Sequence, residues 1–339
     1  MERRIYGQLN TLFIISAILL SFSPHASYGM DTDIKSMKDS IYRLESWFPE
    51  HPAMLFPGES SSMALSELLD TAGKHSAPPS NLIYSILKDI KQSKTVTREQ
   101  RDKLAAFVEV NTEFLTEILP HITGGHVWCP LYDTVVHNTG GQRAHYASTL
   151  SACLQSVVFI NIHDNKIHAA FDALRNLSSL LKASHSLCTE TVGYAQFLVI
   201  CDATALCATM LAKFSYNFDF YPIAAIIHEH SDILEYYKKA VQGDAMFARM
   251  VYTSLMSSKN GGIELTNDYI ATLTYLKKLY DEISYSYDNE TYDQLEKISI
   301  QRGYIDSPHL HSIILKPILP ASIATRQRLL NACKALEDH

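Results

Sequence analysis

The sequence predicts an all-α fold, and three observations carry that prediction. Between Gln142 and Tyr221 the chain has no proline and a single glycine, Gly193. Apolar residues through that stretch recur every third or fourth position, the spacing of one helical face. No segment shows the strict alternation that marks a half-buried strand. The expected architecture is a set of antiparallel helical hairpins stacked as an irregular tetratricopeptide-like solenoid or bundle.

The first element is a leader. Arg3 and Arg4 precede an apolar run from Leu9 to Phe22, and Ser27-Tyr28-Gly29 places small residues at the third and first positions before a cleavage point. This arrangement predicts a signal peptide over 1–29, cleavage before Met30 and export to the periplasm or outside. The apolar run is short for the ~20 residues of a membrane span. Removing 1–29 takes away Arg3, Arg4 and Glu2, so 29 basic and 36 acidic residues become 27 and 35, a net charge near −8. An acidic surface repels phosphate backbones, which argues against nucleic-acid binding.

Residues 30–120 read as an N-terminal helical segment. Ile34, Met37, Ile41, Leu44 and Phe48 form one stripe, ended by Pro49, Pro52 and Pro57. Short helices are expected near Ser61–Ala72 and Ser80–Gln92. A longer one is expected from Thr97, with Gln100 completing a capping box, to Leu119. Residues 120–141, with Gly124-Gly125, Pro130 and Gly140-Gly141, read as the major loop. The rest, 121–339, reads as the hairpin core.

In that core, helices are expected over Gln142–Ile162 and from about Ile167, with Asp164 or Asn165 capping the second. So short a break makes the pair an antiparallel hairpin. Thr189–Lys213 is apolar nearly all round and should be enclosed by neighbours. A helix opened by Pro222 carries Ile223, Ile227, His230, Leu234 and Tyr237 inward. Another is expected from Asp244 to Ser258, then one capped by Thr266. Residues 306–320 carry three prolines and read as extended, before a last helix over Ala321–Glu337.

The segments HYASTLSACLQSVVFINIHDNKIHAAFDALRNLSSLL, ETVGYAQFLVICDATALCATML and ILEYYKKAVQGDAMFARMVY resemble an uncharacterised group of secreted helical proteins of planctomycetes and related bacteria. ASIATRQRLLNACKAL is similar to that group's closing helix. The first segment is also similar to tetratricopeptide hairpins, with Ala169, Ala170 and Ala173 allowing close approach. Three copies at the 34-residue period are not found. The resemblance implies an exported helical protein and carries no catalytic motif.

Asp202 is the one charged residue between Glu190 and Lys213. An ionised carboxylate in an enclosed helix needs a partner, because burying it alone is costly. It is therefore either a site carboxylate or a structural one bonded to a neighbouring helix. His230 fits the apolar stripe as a hydrogen-bonded core histidine. His228 and His230, two apart, point about 200° away from each other and cannot readily share an ion. His121, His126 and Trp128 in the major loop form a candidate binding patch. The six cysteines show no C-x-x-C spacing and read as mostly free buried thiols, with one disulfide left open. Neither a nucleophilic-hydrolase signature nor a phosphate-binding glycine pattern occurs. No metal or cofactor is expected. The expected function is a non-enzymatic exported scaffold for a protein or peptide partner in the cell envelope. The alternative is an enzyme or small-molecule binder with a helical-core pocket around Asp202.

Overall fold

The computed structural model describes residues 39–50, 55, 73–124, 139–188, 191–214, 218–257, 263–288 and 310–338. The expected leader, the helix near Ser61–Ala72 and most of the major loop lie outside these. Every regular element among the described residues is helical. The helices are α1 (39–45), α2 (Asn81–Ser93), α3 (Arg98–Val110), α4 (Thr112–Thr123), α5 (Thr139–His163), α6 (Ile167–Ser184), α7 (Thr191–Leu211), α8 (Tyr221–Glu229), α9 (Ile233–Ser257), α10 (Ile263–Asp288) and α11 (Leu310–Glu337).

Local chemistry sets several helix ends, the capping box of α3 among them as the sequence suggested. Ser80 caps α2 by accepting from the Ile83 N–H, and the helix stops at Lys94, which adopts the left-handed conformation at φ 56°. Thr97 and Gln100 form the reciprocal capping box of α3. Elsewhere tertiary demands moved the boundaries. Asn111 divides the helix expected over Thr97–Leu119: its Nδ2 donates to the Phe107 carbonyl at 2.9 Å and its Oδ1 accepts from the Ala77 N–H at 2.8 Å. A fully buried asparagine bonded to backbone on both sides competes with helix continuation.

The α5–α6 turn is also built differently from the expected cap. Asn165 sits at φ 56° and Lys166 takes the capping position without a side-chain bond. Asp164 instead pairs with Arg101 of α3, Nε at 3.1 Å and Nη2 at 2.7 Å. The Arg101 guanidinium beside it, followed by the His163 hydrogen bond, holds the Asp164 carboxyl well below the usual carboxylate range. The α5–α6 pair is nonetheless joined by three residues and packed along its length.

Four further boundaries are corrected. The helix opened by Pro222 ends at Glu229, not beyond Tyr237, and α9 runs unbroken through Gly243 and Asp244. The helix expected from Thr266 begins at Ile263. Residues 310–320, expected to be extended, are helical, with Pro317 and Pro320 inside α11. Each proline removes one backbone donor, a cost of about 3 kcal/mol in an isolated helix, so packing has overridden local preference here.

Helix α7 is the hub. It packs against α5, α6, α9 and, most extensively, α11. Tyr194 of α7 stacks on Tyr237 of α9 at 4.9 Å and donates to Ser322 Oγ of α11 at 2.6 Å. Tyr194 pairs with 322 and Asp202 with 325 and 328, so α7 and α11 run in parallel. A solenoid packs each hairpin on its chain neighbours; here a helix more than 100 residues downstream closes the bundle. Among the described residues α7 is also the one helix long and apolar enough to cross a membrane, over Gly193–Leu211.

The segment carrying α1 docks on α9 and α10. Gln242 and Arg249 donate to the carbonyls of Trp47 and Glu50, at 3.1 and 2.6 Å, and Tyr269 donates to Glu45 at 2.5 Å. The five described cysteines, Cys153, Cys188, Cys201, Cys207 and Cys333, are free and buried. Burial pushes each of their thiols up, which disfavours the reactive thiolate. Cys129 lies outside the described residues.

Candidate functional site

Asp202 faces outward from the hub toward α11 and α2. Arg328 reaches it in a fork, Nε to Oδ1 at 2.7 Å and Nη2 to Oδ2 at 2.8 Å. Lys91 Nζ lies 2.9 Å from Oδ2, and Thr325 Oγ1 donates to Oδ1 at 2.8 Å. Arg328 Nη2 also donates to Thr325 Oγ1 at 3.0 Å. The carboxylate is about one-fifth exposed and each of its oxygens has two partners. This is the structural arrangement weighed from the sequence: a charge bonded across helices.

The residues that complete this network were not singled out from sequence. Thr325 and Arg328 are three apart on α11 and so share a face, which a register between α11 and α7 would have exposed. Lys91 ends a separate helix and left no comparable signal.

His230 caps the C-terminal end of α8 and is 2% exposed. Its Nδ1 lies 2.8 Å from the Tyr236 hydroxyl, and its buried Nε2 has no hydrogen-bond partner. The ring stacks on His185 at 5.3 Å and meets Phe197 of α7 edge-on at 6.5 Å. Burial first, then the nearby His185 and Lys182 charges, lower its pKa from 6.5 to about 3. The imidazole is therefore neutral throughout the physiological range, a state unsuited to giving up a proton near neutrality.

The same shift makes stability depend on pH. The unfolded chain takes up a proton on this histidine below about 6.5, whereas the folded chain resists until about 3. Stability is thus intact above the unfolded value and declines as pH falls through that window, by up to about 1.4 kcal/mol per unit. His230→Gln should flatten the slope of unfolding free energy between pH 6.5 and 4 in denaturant titrations. An equally steep slope in the variant would contradict the assignment.

His121 lies half-buried in the last turn of α4. His126 and Trp128 lie outside the described residues. Asp202 and His230 share no partner, so the structure does not join them in one constellation. Among the described residues no group of three His, Cys, Asp or Glu side chains converges as a metal site would require. What the Asp202 arrangement does chemically is neutralise charge between three helices.

No family model matches this sequence, and no curated protein or solved structure is detectably similar to it.

Proposed function

We propose that this chain is an exported, non-enzymatic helical scaffold that binds a protein or peptide partner in the cell envelope. The observation that carries the reading is the saturation of Asp202. The most reactive-looking carboxylate of the sequence spends both oxygens on Arg328, Lys91 and Thr325, which is how a structural clamp behaves. His230, the second candidate, is held neutral in an aromatic setting.

The leader pattern at 1–29 supports export, and the recurrent helical hairpins support a tetratricopeptide-like manner of presenting a surface, a fold-level analogy. The enclosure of α7 by four helices supports a chain that does not span the membrane once its leader is removed. Its central Asp202 would cost about 2.5–3.5 kcal/mol in a bilayer.

The test uses the full chain in its native host, tagged at the C-terminus and cross-linked before extraction. The expected result is a mature species beginning near Met30. It should repeatedly carry one envelope protein, and that protein should bind the purified chain again in isolation. An intact Met1 on a cytosolic species would overturn the export half. Repeated recovery of no partner, or of none that rebinds, would overturn the scaffold half.

A further inference from the structure

Residues 45–50 lie on the α9–α10 hairpin in the manner of a bound peptide. The hairpin has braces of its own: Tyr252 of α9 stacks on Tyr269 of α10 at 4.2 Å, and Lys238 Nζ lies 5.6 Å over the Tyr280 ring. Gln242 and Arg249, seven apart on one face of α9, donate to the main-chain carbonyls of Trp47 and Glu50. Bonds of that kind hold a backbone whatever its sequence. Selectivity comes from three side chains of the segment. Glu45 accepts from the Tyr269 hydroxyl, Trp47 meets the Tyr280 ring at 5.0 Å, and the buried Phe48 ring lies 5.3 Å from the Arg249 guanidinium.

The fit is incomplete. Trp47 Nε1 is buried with no hydrogen-bond acceptor, and Ser284 Oγ, one turn beyond Tyr280 on the same face of α10, is likewise buried and unpaired. Arg249 meets a carbonyl and a ring, but no carboxylate among the described residues. An indole donor stripped of water and left unpaired weakens the contact that buries it. An occupant that pairs this donor and brings a carboxylate to Arg249 would hold the seam more tightly than residues 45–50 do.

We propose that the α9–α10 seam is a recognition site for an acidic peptide bearing two adjacent aromatic residues, and that residues 45–50 occupy it in cis until such a peptide displaces them. The aromatic pair takes the places of Trp47 and Phe48 against Tyr280 and Arg249. One carboxylate accepts from Tyr269, as Glu45 does, and a second answers Arg249. Gln242 and Arg249 keep their bonds to the peptide backbone. Only the outside partner rests on the scaffold reading, since the seam itself is tested without one.

The probe is a fluorescein-labelled synthetic peptide of residues 39–50, titrated into the purified full chain and followed by anisotropy. In the wild-type chain the tethered segment competes at an effective concentration on the order of millimolar. Trp47→Ala with Phe48→Ala should vacate the seam and tighten peptide binding by about tenfold or more. Adding Arg249→Ala and Tyr269→Phe should abolish that gain, as should a peptide carrying Trp47→Leu and Phe48→Leu. Glu45→Gln loosens the segment more mildly and should shift binding in the same direction, which keeps the test decisive if the double variant does not fold. Equal binding to the wild type and the loosened variants, binding to none of them, or a gain that survives the seam substitutions or the leucine peptide would overturn the assignment. Peptide binding in this titration alongside a fruitless search for an envelope partner would count against the scaffold reading alone.

Discussion

Gly193→Ala should destabilise the protein by about 3 kcal/mol, lowering Tm by roughly 6–9 °C. Helix propensity predicts the opposite sign, since alanine is about 1 kcal/mol better than glycine inside a helix. The structure overrules propensity for a definite reason. A Cβ placed on Gly193 would sit 1.9 Å from the Leu187 carbonyl oxygen and 2.9 Å from its carbon. Those atoms are backbone, in the short 3₁₀ turn His185–Leu187 that leads into α7. They cannot rotate aside as a side-chain tip would. The start of the hub helix would have to shift, and with it Tyr194, whose hydroxyl bonds Ser322 and whose ring stacks on Tyr237. Thermal melts of the two proteins decide the matter: an unchanged or higher Tm for the alanine variant would remove this account of the close approach.

Asp202→Ala is the second large effect expected, at about 2–3 kcal/mol. Breaking one side of a fully buried ion pair costs about 3–5 kcal/mol; the Asp202 and Arg328 side chains are 20% and 40% exposed, so water screens part of it. The loss comes less from the missing attraction than from what remains. Lys91 and Arg328 would face each other at the junction of three helices, and Thr325 Oγ1 would lose its acceptor. The effect should therefore depend on its partner. With Arg328 already replaced by Met, removing Asp202 should cost much less, a coupling of about 1–3 kcal/mol in a double-mutant cycle. Additive losses would mean that the pair does not act as one unit.

Much of the fold was legible because its causes are local. The Thr97–Gln100 box depends on residues three apart and formed as read, and the Ser80 cap has the same local spacing. The α6 stripe is periodic enough to show which face is buried, whereas α5 is buried on every side from Ala147 to Ser156. Where the reading failed, a distant partner had intervened. Asn111 broke a helix because Ala77, 34 residues away, needed its oxygen. Asp164 left its expected capping role for Arg101, 63 residues away. Pro317 and Pro320 entered a helix that local chemistry would have ended.

The candidate site divides in the same way. That Asp202 required a partner followed from its isolation in an apolar helix, and that His230 would be a buried, hydrogen-bonded histidine followed from its place in a stripe. Which groups answer Asp202 did not follow, since Lys91, Thr325 and Arg328 lie 111, 123 and 126 residues from it.

By itself the sequence determined that helices form, which stripes they bury, and that one enclosed carboxylate needs compensation. These are properties of neighbours within a turn or two, where 3.6-residue geometry is decisive. Only the tertiary structure decided that α11 runs parallel to the hub, that a glycine there cannot carry a side chain, and that two cations from separate helices meet at a single acid. Such juxtapositions depend on helices meeting across more than a hundred residues, and short-range periodicity contains no term for where they meet.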